Sequence, residues 1–413
     1  MGTRDLDTTC CIAGGGPGGL MLGFLLAKAG IDVVVLEKHT DFLRDFRGDT
    51  IHPSTIDLLT ELGLKRQFLT LPHHEVRGLD VVLSGNRIQP VDFTRLRGGT
   101  RFLALMPQWD FLNFIAAEAG KLPGFRLVTG AEVTGLRRDG TRVRGVTAVG
   151  ADGEFVVDAA LTVAADGRDS VLRRAASLPV KEYGIAIDVL WFHLPKVGTE
   201  RPTLAYLDKK SMVLTIPRGD YYQAGMIIQK GGFPELQAQG LPAFRKRIAQ
   251  TAPPVASVVD SLSDWDQVKL LSVQVNRLRR WYRPGFLCIG DAAHAMSPAF
   301  GVGVNFAIQD AVAAANLLAE PLRSGTLSTD ELKRVQRRRL PPVRVMQPIQ
   351  LQLHKRIANA GPGVNLPHPL PPRIRVVLRL LLPIIRRVAA RVVGRGIRPE
   401  HLSPQLRRMF TLQ

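Results

Sequence analysis

Apolar and polar positions alternate along this chain in three regimes. The first opens on a short apolar strand, Thr8 to Ala13, that runs into Gly14-Gly15-Gly16-Pro17-Gly18-Gly19. An apolar helical stretch follows, Leu20 to Ala29, and Gly30 ends it. Ile31 to Glu37 is a second apolar strand closed by an acid. Strand, glycine turn, helix and strand in this order predict a βαβ unit. Leu161 to Ala165 and Gly285 to Ile289 are further continuous apolar runs, the pattern of strands covered on both faces. The first ends in Asp166-Gly167, with a helix from Val171. The second ends in Gly290-Asp291-Ala292-Ala293-His294. The glycine-rich stretch Ala299 to Asn305 then opens a long helix, Phe306 to Ala319.

From Lys181 to Gln229 the period shortens. Val189 to Leu194, Met212 to Ile216 and Tyr221 to Ile228 alternate and are separated by turn residues such as Pro217-Arg218-Gly219-Asp220. This predicts an antiparallel sheet inserted in the α/β domain. After Asp330 the chain becomes Arg-rich. Pro341-Pro342 and Pro371-Pro372 mark breaks around a helix from Val343 to Ala360, and Pro383 interrupts the stretch Arg373 to Val393.

Composition narrows the class. The chain has 413 residues, 45% hydrophobic and 22% charged, with material for a sizeable core. Its three cysteines, Cys10, Cys11 and Cys288, lie in strand-like runs, which argues for buried thiols over a disulfide framework or a metal site. The first residues show no signal-peptide pattern, which fits a cytoplasmic setting. Net charge is +19, and from Glu331 onward 18 Lys/Arg stand against only Glu331 and Glu400. No nucleic-acid reader motif accompanies this basicity. Its longest uncharged run between Arg373 and Val393, Leu380 to Ile385, is far below the roughly 20 residues that span a bilayer. A basic amphipathic helix lying on an anionic membrane and a helix docked with its arginines in water both fit.

The motifs carry recognisable chemistry. Gly14 permits a tight turn, Gly16 lets backbone approach a pyrophosphate, and Gly19 lets helix pack on strand. The helix N-terminus, opening at Pro17 and Gly18, offers unpaired N–H groups from Gly18 onward to phosphates. Glu37, followed by Lys38, can accept from both ribose hydroxyls and would repel a 2′-phosphate. These features fit FAD and NAD equally. The later strand ends decide for FAD, because Asp166 and Asp291 return the chain to the same long cofactor.

With Pro298 and Gly301-x-Gly303-x-Asn305, the Gly290-Asp291-Ala292-Ala293-His294 block makes the chain resemble the class A FAD-dependent monooxygenases. That is the family of para-hydroxybenzoate hydroxylase and of the ubiquinone-pathway hydroxylases. The likeness runs from about Thr8 to Leu322. It implies that Glu37 holds the adenosine ribose, that Asp291 holds the ribityl chain and that Asp166 lies near the pyrophosphate. It places Gly301, Gly303, Val304 and Asn305 under the isoalloxazine, where N–H groups stabilise the reduced flavin anion, and counts Gly290 and Pro298 among the cofactor-binding residues. Arg47 resembles the family's arginine near the flavin and Gln108 its FAD-contacting residue at a helix start. Phe300 replaces a glycine common in the family and is a further candidate for the substrate pocket, although it also suits plain core.

The resemblance implies an α/β fold: a Rossmann-like FAD-binding domain, an inserted antiparallel-sheet substrate domain and a helical C-terminal tail. FAD binding falls to residues 1–75, 106–180 and 276–330, the substrate side to 76–105 and 181–275, and the basic helical region to 331–413. The sheet would roof a pocket for which Phe192, Tyr206, Tyr222 and Met226 are candidates, although each also suits plain sheet core. The implied reaction uses NAD(P)H and O2 through a C4a-hydroperoxyflavin to oxygenate an apolar aromatic or polyketide-like small molecule. No acid–base pair or nucleophile stands out, as expected where the cofactor carries the chemistry. A reductase or dehydrogenase of an isoprenoid or quinone shares every cofactor motif. A membrane-surface flavoprotein acting through its tail is a third reading. A flavin halogenase lacks support, since no Trp-x-Trp-x-Ile-Pro pattern occurs.

Overall fold

The computed structural model describes residues 5–43, 50–83, 85–198, 205–208, 211–360 and 372–411. The N-terminal βαβ unit consists of strand Leu6–Ala13, helix Pro17–Lys28 and strand Val33–Glu37. Leu6–Ala13 pairs in parallel with Val33–Glu37 on one side and with Gly153–Ala164 on the other. Phe125–Thr129 extends the first side and Phe286–Cys288 the second, both parallel. All five strands therefore end at one edge of the sheet. Ala13 is level with Leu36 and Ala164, and Ala164 with Cys288. This register brings the Gly14–Gly19 turn with Glu37, Asp166-Gly167 and Gly290-Asp291 together at the carboxyl ends, where open α/β sheets bind ligands.

Helix Pro17–Lys28 packs against helices Gln108–Gly120 and Gly303–Arg323. The approach is close because Gly18 faces the Ala307 carbonyl; a Cβ there would lie 3.2 Å from that oxygen. Cys10, Cys11 and Cys288 are free thiols with no exposure. Burial pushes the Cys11 thiol up to about 12.

A second, seven-stranded sheet runs Lys269–Leu271, Ile187–Pro195, Tyr221–Gln229, Met212–Arg218, Ala205–Leu207, Gly78–Leu83, Asn86–Asp92. Its pairings are antiparallel except that between Ala205–Leu207 and Gly78–Leu83. One face carries Leu190, Phe192, Leu194 and Met226 onto helix Leu241–Thr251. The opposite face carries Val189, Trp191 and Ile216 toward the first domain.

The C-terminal region departs from expectation at its prolines. Helix Thr329–Ala360 runs through Pro341, Pro342 and Pro348, and helix Pro372–Gly394 runs through Pro383. Proline removes one i→i−4 bond at each site. Tertiary burial offsets the loss: Leu332, Val335, Val343 and Met346 enter the main core, and Ala390 and Val393 enter the core beneath the second sheet. Helix Pro404–Phe410 adds Leu406 and Met409 to the main core. The segment is thus built into the fold. Among the described residues one helix, Ala299–Arg323, is long and apolar enough to cross a membrane, and 72% of its apolar window is buried as core.

Candidate functional site

A cavity of about 810 Å³ lies along the carboxyl edge of the parallel sheet and reaches the second sheet. That volume suits a small-molecule or cofactor site. At one end Gly14 turns the chain with φ +106°, and a Cβ there would lie 2.4 Å from the Ala165 carbonyl oxygen. A Cβ on Gly19 would lie 2.0 Å from the Gly14 oxygen, so strand and helix meet only through these glycines. At Gly16 a Cβ would enter open space, room that backbone alone leaves for a ligand. Helix Pro17–Lys28 has no side-chain cap at Gly16, so its first N–H groups face the cavity unspent.

Glu37 is buried beside this turn. Its Oε2 accepts from the Gly15 N–H at 2.8 Å and its Oε1 from the His39 N–H at 3.1 Å. The carboxylate is therefore fixed on the cavity wall beside Lys38. Asp166 caps the turn into helix Val171–Ala175, accepting from the Leu172 N–H at 3.2 Å. Burial pushes its carboxyl above the ordinary value, against hydrogen bonds from Ser170 and Leu172. Its Oδ1 is buried with no partner among the described residues. Asp291, at the next strand end, pairs with Arg168 at 3.4 Å. Gln108 opens helix Gln108–Gly120 and is nearly buried on the same wall.

Behind Asp291 lies a buried polar chain. Asp310 Oδ2 accepts from the Gly290 N–H at 3.0 Å and contacts His294 Nε2 at 2.6 Å. Its Oδ1 accepts from Arg339 Nε at 2.9 Å, and Arg339 continues to Glu400 at 3.3 Å. Burial pushes Asp310 up, but His294 and Arg339 outweigh it and hold the carboxyl below its ordinary value. Two basic residues of the C-terminal region, Arg338 and Arg339, are thus spent inside the fold on Glu400 and Asp310.

At the far end lie Pro298, Gly301, Gly303 and Val304. Helix Gly303–Arg323 begins there without a side-chain cap, a second source of free N–H groups. Ser297 lines the cavity with its Oγ 2.7 Å from His354 Nε2; burial lowers His354 to about 4. The opposing wall is Trp191, Ile216 and Leu271 from the second sheet.

Several sequence candidates sit elsewhere. Phe192, Tyr206, Tyr222 and Met226 belong to, or pack on, the core on the other face of the sheet. Phe192 meets Phe244 edge-on at 5.5 Å. The pleat alternates faces, so Trp191, one residue earlier, is the side chain at the cavity. Phe300 adopts φ +67° and packs between the main core and the core beneath the second sheet, off the cavity wall. Asn305 points away from the cavity, its Oδ1 accepting from Ser54 Oγ at 2.7 Å and Thr55 Oγ1 at 3.1 Å. Arg47 lies outside the described residues. Arg168, Trp191 and Ser297 went unnoticed in the sequence. Arg168 stands right after Asp166-Gly167 and could have been found there.

Two uncapped helix starts, a glycine gap and the acids Glu37 and Asp291 on one cavity match a dinucleotide with two phosphates, two sugars and a flat ring. Residues 7–347 match the FAD binding domain family, and the chain belongs to it: it is an FAD-dependent oxidoreductase of the class A aromatic monooxygenase type. Among its relatives is the 6-methylpretetramide 4-monooxygenase of Streptomyces rimosus. It is 33% identical over 86% of this chain and 85% of that protein. The protoasukamycin 4-monooxygenase of Streptomyces nodosus subsp. asukaensis is 27% identical over 88% of this chain and 91% of that one. The fold matches that of PqsL from P. aeruginosa, solved with 2-aminobenzoylacetate. The TM-score is 0.74 at 22% identity, covering 86% of this chain and 97% of PqsL.

Proposed function

We propose that this FAD-dependent monooxygenase hydroxylates a polycyclic aromatic of polyketide type, held between the Gly301–Gly303 loop and the wall of the second sheet. One observation carries the reading. The wall is apolar in Trp191, Ile216 and Leu271, yet the Trp191 Nε1–H is buried with no partner among the described residues. A buried unpaired donor costs about 1–3 kcal/mol; the N–H is not itself on the cavity surface, so a substrate oxygen relieves that cost once the ring turns toward it. A flat apolar molecule bearing carbonyl or phenol oxygens meets both demands. The S. rimosus relative, whose name specifies a methylpretetramide substrate, supports the same class.

When bound, FAD takes reducing equivalents from NAD(P)H and supplies the oxygen-transfer chemistry. This chain's residues bind and orient. Gly14 to Gly19 and the helix start at Pro17 receive the pyrophosphate, Glu37 the adenosine ribose, and Asp291 the ribityl chain. Lys38 and Gln108 flank the cofactor. Pro298, Gly301, Gly303 and Val304 lie at the ring, while Gly290 and Asn305 hold that loop from behind. Residues 1–75, 106–180 and 276–330 form the FAD-binding part in this reading, and 76–105 with 181–275 the substrate side.

The reading also includes a cytoplasmic enzyme that touches anionic membrane. Val376, Leu380, Leu381, Ile384, Ile385 and Val388 are exposed on helix Pro372–Gly394, with Arg387 and Arg391 exposed beside them. Co-sedimentation with phosphatidylserine vesicles, lost in Leu380→Glu/Ile384→Glu, would support the contact; equal sedimentation would remove it.

The substrate test screens polycyclic phenols, anhydrotetracycline among them, for acceleration of NADPH or NADH oxidation. Flat aromatics with peri oxygens should accelerate it, and Trp191→Phe should weaken their binding about 2- to 13-fold, one hydrogen bond of about 0.5–1.5 kcal/mol. Acceleration only by non-aromatic substrates would refute the reading.

A further inference from the structure

His52 has no exposure and stands directly before helix Pro53–Glu61. Its Nδ1 lies 2.7 Å from the Val393 carbonyl oxygen and its Nε2 lies 2.9 Å from the Gly301 carbonyl oxygen. Both partners can only accept. A neutral imidazole carries one N–H, so in either tautomer one ring nitrogen opposes a carbonyl lone pair to lone pair. Only the imidazolium donates to both. The Gly301 carbonyl already receives the Thr50 hydroxyl at 2.9 Å. The neutral ring therefore donates best through Nδ1 to Val393 and leaves Nε2 as the misfit.

We propose that His52 is a redox-linked proton site, taking up one proton when the flavin beside Gly301 is reduced. The inference rests on the reading that puts the flavin ring at Gly301 to Gly303.

Burial favours the neutral ring and holds His52 below the ordinary histidine value, against the pull of the two carbonyls. Among the described residues, the charged groups on its packed elements are committed elsewhere. On its own helix, Asp57 accepts from the Thr100 N–H and faces Arg395, while Glu61 holds His401 and Arg407. Arg391 of helix Pro372–Gly394 and Arg395 just beyond it line a separate surface cleft. The stretch 299–305 carries no charged residue. The balance is thus set to respond to a charge arriving at Gly301, and the reduced flavin anion is such a charge. It acts across a dry interior where Coulomb terms are strong. The balance of the step is simple. A hydride brings two electrons and one proton to the flavin. A second proton, from solvent, forms a new N–H bond at His52 Nε2 and donates to Gly301. No protein bond breaks, and the pair ends neutral. Because Nδ1 holds Val393, the same proton tightens the flavin loop to the C-terminal helix.

The experiment is the flavin midpoint potential of the holoenzyme against pH, by spectroelectrochemistry, in wild type and His52→Gln. One extra proton makes a tenfold change in the equilibrium constant per pH unit, about 30 mV for a two-electron couple. The wild-type slope should exceed that of His52→Gln by this amount in the neutral range. A merely structural histidine would shift the potential without changing the slope. Should the variant fail to fold, ¹⁵N-histidine NMR of the wild type decides: His52 should carry one N–H oxidised and two reduced. Equal slopes, or an unchanged His52 signal, overturn the proposal. Gly301→Ala separates it from the placement it rests on, since its Cβ would meet Thr50 Oγ1 at 2.5 Å. If that variant moves the flavin spectrum while His52 stays silent, only the proton site fails. If neither change affects the flavin, the placement fails too.

Discussion

Removing Asp310 should cost this protein much of its stability and loosen the flavin loop with it. The side chain has no exposure and holds three partners: His294 at 2.6 Å, the Gly290 N–H at 3.0 Å and Arg339 at 2.9 Å. Arg339 is itself only 2% exposed. Breaking a buried pair by deleting one partner leaves an uncompensated charge and costs about 3–5 kcal/mol. Whole-protein stabilities are about 5–15 kcal/mol, so Asp310→Ala should unfold at markedly lower guanidinium. Asp310→Asn keeps an acceptor for Gly290 but loses the charge, and should fall between. The pH dependence has a definite sign. The folded carboxyl sits below its ordinary value. Its contribution is therefore complete above the unfolded value of about 3.9 and is lost as pH falls through the lower folded one. Guanidinium unfolding of the apoprotein and holoprotein across that range measures both effects. A cost under about 1 kcal/mol for Asp310→Ala, or wild-type FAD affinity in it, would refute the reasoning.

Other substitutions test single links. Asp291→Ala should weaken FAD retention by about 1.5–3 kcal/mol, the loss of a charge-assisted hydrogen bond; fluorescence titration of the apoprotein reads it. Gly14→Ala combines φ +106° with a Cβ 2.4 Å from a carbonyl oxygen and should abolish flavin binding, visible as a colourless preparation. Gly225→Ala would set a Cβ 2.9 Å from the Trp191 ring; overpacking of about 1–3 kcal/mol should lower the melting temperature and disturb substrate binding while FAD affinity holds. Cys10, Cys11 and Cys288 should resist a thiol reagent until the protein unfolds and then titrate as three, since burial raises all three thiols.

The cofactor half was legible because its signals are local. The turn at Gly14 and the Gly14–Gly19 contact need particular residues at fixed spacing, and the parallel register then gathers Glu37, Asp166 and Asp291 without further instruction. The substrate face was not legible. Strand Ile187–Pro195 is buried from Ile187 through Phe192, so alternation carries no sign of which face meets the cavity. For that reason Phe192 stood as a pocket candidate in the sequence and Trp191 did not. Prolines misled in the C-terminal region because helix propensity is weaker than burial of Val343, Met346 and Val393. The chain His294, Asp310, Arg339 and Glu400 joins residues too far apart for any motif to announce.

The most direct test is turnover of an accelerating polycyclic phenol with NAD(P)H under ¹⁸O₂, followed by mass spectrometry of the product. One labelled oxygen atom per product molecule is the expected result. A product reduced or desaturated with no label would contradict oxygen transfer and leave a reductase or dehydrogenase on the same FAD fold.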